Sequence, residues 1–524
     1  MNSLSRKYIR VIPKLDIKGP SLVKGIHLEG LRVLGNPEDF AQKYYEDGAD
    51  ELIYIDLVAS LYRRNNLVEI VRRIAGRIFI PLTVGGGVRT IDDMHGLLRA
   101  GADKIAVNTA LFEDLELLEK GAHIYGSQCM VVYIEAKKNA SGQYECMHTN
   151  ARENSGIEVL EWIETVTDRG AGEIFLTFVD TEGTGRGIDT DFLDALSTKL
   201  SIPLIVNGGY GNCSHIIEAA GHGADAVAAA SVLHYNEIER LKNMSGRLVE
   251  GNTAYIDHKR SETTGFLKGT IEPAGIEQIK QELCRAGLPC RKEKPNDLNL
   301  DTGIKAGPSR VVVVDYEMGN IFSLCRALEK IGANVVVTQE PGLVSDADYV
   351  ILPGVGAFPR AMKNLCAKGL DEAVLEHAAK GRPLLGICLG MQLMFSQSDE
   401  ISPCCGLDII AGEVRFLFSG RQTDCKLKLP HIGWNTLEYP ESADAGFSWD
   451  NTIFSGIRKG DCAYFVHSYA VKPADQDCVL AATEYGTHRF CCAVQKDNIA
   501  GCQFHPELSA TAGLGILKGF LEMK

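Results

Sequence analysis

The chain reads as two α/β domains in series, a closed (β/α)8 barrel followed by a second domain built on an open sheet. Three observations carry that reading. First, the N-terminal half repeats itself. Ile80-Pro81-Leu82-Thr83-Val84-Gly85-Gly86-Gly87 returns as Ile202-Pro203-Leu204-Ile205-Val206-Asn207-Gly208-Gly209, 122 residues on. Gly101-Ala102-Asp103 returns as Gly223-Ala224-Asp225, and Gly48-Ala49-Asp50-Glu51 as Gly170-Ala171-Gly172-Glu173, at the same spacing of 122. The starts, Leu15-Asp16-Ile17-Lys18 and Ile134-Glu135-Ala136-Lys137, match more loosely at 119. Second, each half holds four Val/Ile/Leu-rich runs separated by amphipathic helical stretches, the pattern of parallel strands buried on both faces. Eight such units in roughly 250 residues fit a closed barrel of two similar halves. An open doubly wound sheet is the structural alternative, and the repeat favours the closed form. Third, Arg382-Pro383-Leu384-Leu385 reads as a buried strand that runs through Gly386-Ile387-Cys388-Leu389-Gly390 into a helix at Met391.

The bulk numbers agree. A chain of 524 residues exceeds one core, so two or three domains are expected. Composition is globular, with 45% hydrophobic and 23% charged residues. A formal net charge of -14 argues against a nucleic-acid surface. No uninterrupted apolar run of membrane-spanning length occurs, so no membrane span is expected. The start, Met1-Asn2-Ser3-Leu4-Ser5-Arg6-Lys7, has no apolar segment of the secretory kind. The expected location is the cytoplasm, with reduced thiols. Among 16 cysteines, the adjacent pairs Cys404-Cys405 and Cys491-Cys492 lack zinc spacing and read as structural. The histidines show no ligand spacing, so no metal and no cofactor is expected.

In a (β/α)8 barrel the active site lies at the C-terminal strand ends. Read in order, those ends carry Asp16, Asp56, Gly85-Gly86-Gly87, Asn108-Thr109, Glu135, Asp180 with Glu182, Gly208-Gly209, and Ala230-Ser231. Asp16 and Glu135 hold equivalent places in the two halves and are expected to face each other across the mouth, a pair suited to acid and base work. The glycine turns after strands 3 and 7, each beside Thr109 or Ser231, are expected to form two symmetric phosphate cradles. Two such sites imply a long substrate with a phosphate at each end.

In the second domain, a small-x-nucleophile-x-small pentapeptide at a strand-to-helix turn is a nucleophile elbow, with Cys388 as the nucleophile. The flanking glycines are expected to allow the sharp turn. The helix N-terminus behind it favours a thiolate. Downstream, Gly501-Cys502-Gln503-Phe504-His505-Pro506-Glu507 offers His505 as base and Glu507 as its orienter.

These motifs make the chain recognisable. From about residue 309 to 524 it resembles a class I glutamine amidotransferase, and most closely the glutaminase of imidazole glycerol phosphate synthase. The resemblance rests on Val314-Asp315-Tyr316 with Met318-Gly319-Asn320, Leu352-Pro353-Gly354-Val355-Gly356-Ala357-Phe358, the Cys388 elbow, Pro430-His431-Ile432-Gly433-Trp434-Asn435, Phe465-Val466-His467-Ser468-Tyr469 and the His505 motif. Glu317 stands where the family usually has glycine. The resemblance implies that Cys388 attacks the glutamine amide, His505 moves the thiol proton to ammonia and Glu507 holds the imidazole. It also implies that Gln392, Ser468 and Tyr469 hold glutamine. Backbone N–H groups along Gly354-Val355-Gly356 are expected to stabilise the oxyanion.

Residues from about 8 to 293 resemble the cyclase subunit of the same synthase. The fold implied is a (β/α)8 TIM barrel plus a C-terminal class I glutamine amidotransferase α/β domain. That family joins ammonia to a bisphosphorylated ribulosyl aminoimidazole carboxamide compound, yielding imidazole glycerol phosphate for histidine biosynthesis. Asp16 matches its first catalytic aspartate, whereas Glu135 replaces the second and Glu182 replaces a third acid after strand 6. Lys14 replaces a usual cysteine. Arg10, Glu51, Lys104 and Glu173 match a charged ammonia gate at the N-terminal face.

The expected organisation is a barrel at 1–293, a linker at 294–308 and a glutaminase at 309–524. The segment 236–272 is longer than the family usually has and contains the charged run 257–262; it reads as a solvated loop or a lid. Two functions stay open. One is an ammonia-channelling synthase acting on glutamine and a phosphorylated small molecule. The other is a glutaminase plus conduit serving a separate sugar-amidating enzyme in surface-polysaccharide synthesis. A barrel isomerase of the same pathway is less favoured, because isomerisation needs no ammonia.

Overall fold

The computed structural model describes residues 7–59, 67–245, 270–295, 310–418, 427–444 and 446–523. The segment 246–269, with the charged run at 257–262, and residues 296–309, which include most of the expected linker at 294–308, lie outside them. The chain divides into two compact units, one of residues 8–121 and 129–294 and one of residues 1–7, 122–128 and 295–524. Among the described residues no helix is long and apolar enough to cross a membrane.

The first unit is a closed barrel of eight parallel strands: β1 (Arg10–Lys18), β2 (Leu52–Asp56), β3 (Leu82–Gly85), β4 (Lys104–Val107), β5 (Met130–Lys138), β6 (Glu173–Phe178), β7 (Leu204–Asn207) and β8 (Ala226–Ala229). Each pairs with the next, and β1 closes the ring on β8 through Arg10 opposite Ala226. Strands β3, β4, β6, β7 and β8 are buried along their whole length, as a sheet covered on both faces requires. The interior is packed by side chains such as Ile12, Ile53, Val131, Phe175 and Ile205, with Tyr133 stacked on Phe175 at 4.7 Å.

The repeated Gly-Ala-Asp signature has a structural cause. The glycines Gly48, Gly101 and Gly223 have φ of +88°, +112° and +101°, the left-handed conformation that ends a helix cheaply only in glycine. The aspartate two residues on accepts a backbone N–H at the start of a neighbouring strand. Asp50 accepts from Val11 at 2.8 Å, Asp103 from Leu82 at 2.9 Å and Asp225 from Leu204 at 2.7 Å.

Each half also carries a feature not expected from its pattern. An antiparallel hairpin follows β1, over Ser21–Ile26 and Glu29–Gly35, and another follows β5, over Tyr144–His148 and Glu153–Glu158. Both extend from the C-terminal strand ends, where the barrel's chemistry sits.

The second unit has a seven-stranded sheet. Its strands are β9 (Arg310–Val314), β10 (Asn334–Thr338), β11 (Tyr349–Leu352), β12 (Leu384–Ile387), β13 (Val479–Tyr485), β14 (His488–Lys496) and β15 (Ile499–Cys502), in the order β10-β9-β11-β12-β15-β14-β13. The first five of that order are parallel and the last two antiparallel. A separate hairpin pairs His431–Thr436 with Cys462–His467. Cys388 follows β12 and His505 follows β15, its neighbour, so the two adjacent strand ends bring nucleophile and base together.

Asp50 is also the barrel's clasp for its last helix, Ile276–Arg285. Its carboxylate accepts from Lys280 Nζ at 2.6 Å and from Arg291 Nε at 2.9 Å, all three side chains being buried. Removing one partner of a buried charge cluster leaves the others uncompensated. Asp50→Ala is therefore expected to lower the barrel's unfolding free energy by about 3–5 kcal/mol, measured by urea denaturation; a loss under about 1 kcal/mol would show that the clasp carries no load.

Candidate functional site

Two separate groups of side chains hold the chemistry. In the second unit Cys388 has φ 51° and ψ -107°, a strained left-handed backbone for a non-glycine residue. The glycines act differently from the expectation. Neither Gly386 nor Gly390 has positive φ; a Cβ on Gly390 would lie 1.7 Å from the Leu352 carbonyl oxygen, and one on Gly386 2.7 Å from Met391. They permit close packing, while Cys388 itself makes the turn.

His505 Nδ1 lies 2.7 Å from Glu507 Oε1, both side chains being buried. Burial alone would lower the histidine; the Glu507 carboxylate and the Cys388 sulfur outweigh it and raise the imidazole well above its ordinary value. The Cys388 pocket is lined by Gln392, Ser468 and Tyr469, together with Glu400 and His467. Glu400 escaped the sequence reading. Its carboxylate accepts the Phe358 N–H at 2.7 Å, and burial pushes its pKa up to about 7. An acid in that wall suits the α-ammonium of an amino acid.

The oxyanion expectation at Gly354 and Gly356 needs correction. The Gly354 carbonyl accepts the Leu389 N–H at 3.3 Å. It thereby occupies the donor that follows the nucleophile in an elbow. A trans peptide turns its N–H opposite to its carbonyl, so the Val355 N–H points away from Leu389. The Gly354–Val355 peptide thus presents its carbonyl to the elbow, the wrong group for an oxyanion.

In the barrel, Asp16 and Glu135 both sit buried at the mouth, and the Tyr133 hydroxyl feels Glu135, Asp16 and Glu182 together. Their surroundings differ. Lys14 Nζ pairs with Asp16 Oδ1 at 2.6 Å. Glu135 accepts the Ala151 N–H at 2.8 Å, and burial pushes its pKa up to about 7 against that bond and Lys14. Glu182 pairs with buried Lys24 and accepts from Asn207 at 3.3 Å. Burial would raise Glu182, but Lys24 and Lys14 outweigh it and hold the carboxyl low. Lys14 was legible as an inward residue, because it stands two positions before Asp16 on one strand face. Lys24 lies on the unforeseen hairpin.

The two glycine cradles are not equivalent. Gly86, Thr109, Arg89 and Glu135 line one cavity at the mouth, beside buried Gly85. Gly208, Gly209 and Ser231 are buried. The Gly209 carbonyl accepts the Gly187 N–H at 2.7 Å, and a Cβ on Gly209 would lie 1.9 Å from the Gly187 oxygen. The loop after β6 therefore covers the second cradle, and the expected symmetry is broken.

At the opposite strand ends the four gate candidates form a closed ring. Arg10 pairs with Glu51 at 2.8 Å and with Glu173; Lys104 pairs with Glu51 at 2.5 Å and Glu173 at 2.6 Å. All four are buried rather than a solvated rim. Burial opposes ionisation of Glu173, yet Arg10 and Lys104 keep it below its ordinary value.

Comparison with known proteins agrees with both halves. Residues 10–239 match the family described as "Histidine biosynthesis protein", and residues 312–523 match "Glutamine amidotransferase class-I". The chain is 53% identical over 203 residues to the imidazole glycerol phosphate synthase subunit HisF of Legionella pneumophila, covering 39% of this chain and 96% of that protein. It is 46% identical over 240 residues to the HisF subunit of Wolinella succinogenes, covering 46% and 93%. To that of Gluconacetobacter diazotrophicus it is 44% identical over 283 residues, covering 54% and 96%. The chain therefore belongs to the HisF family of imidazole glycerol phosphate synthase subunits and carries a class I glutamine amidotransferase domain besides, an enzyme with glutamine amidotransferase and cyclase activity.

Proposed function

We propose that this chain hydrolyses glutamine at Cys388 and spends the ammonia at the barrel mouth, cyclising a bisphosphorylated aminoimidazole carboxamide ribonucleotide in cytoplasmic histidine biosynthesis. In this reading residues 1–293 are the cyclase, 294–308 the linker and 309–524 the glutaminase. The observation that carries it is the pairing of a strained Cys388 with the buried His505–Glu507 couple, in a pocket with Gln392, Ser468 and Tyr469.

Cys388 sulfur attacks the side-chain amide carbon of glutamine. His505, oriented by Glu507, passes the thiol proton to the leaving nitrogen, which departs as ammonia. Water then cleaves the thioester and frees glutamate. A flip of the Gly354–Val355 peptide would supply the oxyanion donor. In the barrel, Glu135 is poised near neutrality to give or take a proton, while Asp16 stays paired with Lys14 until substrate competes for it. Gly86 and Thr109 would hold one phosphate; Gly208, Gly209 and Ser231 would hold the other, while Glu182 would accept from a hydroxyl or N–H of the substrate. Arg10, Glu51, Lys104 and Glu173 would admit neutral ammonia through the barrel base.

A second reading draws support from the Lys14–Asp16 ion pair and the covered cradle. There the barrel only conducts ammonia, and a separate amidating enzyme uses it on a sugar of surface polysaccharide.

Cys388→Ala is expected to abolish glutamine hydrolysis while ammonium salt still drives turnover of the bisphosphate, followed by release of both products. No turnover by the wild-type chain with either nitrogen source would leave the conduit reading. A second expectation concerns Glu135. Its protonated form is favoured in the fold, so its stabilising effect is complete below about pH 4.5 and fades as pH rises through about 7. The stability of wild type relative to Glu135→Gln should therefore fall by about 3 kcal/mol over that window. Urea denaturation across the range reads this directly, and parallel curves would contradict it.

A further inference from the structure

Among the histidines that the glutaminase buries outside the triad, His431 and His467 form a pair, and their hydrogen bonds have only one consistent direction. His467 Nδ1 lies 2.7 Å from the Tyr469 carbonyl oxygen. A carbonyl only accepts, so Nδ1 carries the proton and neutral His467 offers Nε2 as an acceptor. His431 Nδ1 lies 3.1 Å from that Nε2 and is therefore the donor. His431 Nε2 in turn accepts from Asn435 Nδ2 at 3.1 Å, whose other N–H goes to the Glu484 carbonyl at 2.9 Å. Both rings are buried. Burial lowers His467 to about 4 and holds His431 well below its ordinary value, so the pair is neutral around pH 7.

The same Tyr469 carbonyl accepts from Gln392 Nε2 at 3.0 Å. Gln392 Nε2 also donates to Gln503 Oε1 at 3.1 Å, and Gln503 Nε2 donates to Cys388 Sγ at 3.6 Å. Both Gln392 N–H groups are thus engaged, which leaves its Oε1 as the acceptor on the pocket side. Two donors converge on the Tyr469 carbonyl, so no proton can run through it. The network holds positions and does not relay protons.

We propose that His467, fixed in its Nδ1–H tautomer by His431, is a positioning residue for glutamine hydrolysis: it anchors the Tyr469 carbonyl, which sets Gln392 and, through Gln503, the Cys388 sulfur. The inference rests on the glutaminase reading above. Misplacement by about 1 Å at a reacting centre costs on the order of 10²-fold in rate.

The test is steady-state glutaminase kinetics of the full chain with L-glutamine. His467→Leu is expected to lower kcat/KM at least tenfold. His467→Asn, whose Nδ2–H can stand in for Nδ1–H, should recover most of that loss, a rescue that a purely packing role would not give. Should His467→Leu fail to fold, His431→Phe serves instead. It keeps the stacking on Phe465 and Tyr485 and removes the donor to His467 together with the acceptor of Asn435, with at least a fivefold loss expected. Folded variants with kcat/KM within twofold of wild type would overturn the proposal. A wild-type chain that hydrolyses no glutamine would overturn the glutaminase reading itself.

Discussion

A closed parallel barrel has no wet interior face, so every charge placed inside must find an opposite charge. That constraint organises both ends of this one. At the strand starts, Arg10 and Lys104 alternate with Glu51 and Glu173 in a neutral ring. At the strand ends, Lys14 answers Asp16 and Lys24 answers Glu182. Removing one member of such a buried pair is far costlier than the pair is worth. Glu135 is the exception: among the described residues no cation bonds it directly, and burial pushes its pKa up to about 7. Burial thus raises the carboxyl that the pairing leaves over.

The same constraint explains how two repeated halves came to differ. Gly86 and Gly208 have nearly the same φ, 100° and 101°, so the backbone of the repeat is intact. What differs is what lies above. The hairpin after β1 carries Lys24 to Glu182, and the loop bearing Glu182 closes over Gly209 through Gly187. The equivalent cradle at Gly86 stays open to the cavity holding Arg89 and Thr109. Glu182 thus joins two loops through Lys24.

Much of this was legible in the residues. The barrel follows from a repeat whose Gly-Ala-Asp units do a definable job, ending a helix and clasping a strand start. The elbow follows from Cys388 between glycines after an apolar strand, and the His505–Glu507 couple from spacing. Other features were not legible, for physical reasons. The hairpin after β1 is polar on its exposed face, and Lys24 and Arg32 hide its period. The direction of the Gly354 peptide is a backbone choice that residue identity does not encode. Glu400 and the His431–His467 pair meet the pocket only through pairings between distant segments. Lys14 could have been placed, since it shares a strand face with Asp16.

The central claim is that nitrogen released at Cys388 ends in the barrel's product. The most direct measurement supplies the full chain with [amide-15N]glutamine, the bisphosphorylated substrate and an excess of unlabelled ammonium salt, and reads the isotope in the imidazole product by mass spectrometry. The account predicts that the product carries predominantly the glutamine label. A product whose nitrogen matches the bulk ammonium pool, or no imidazole product at all, would contradict it.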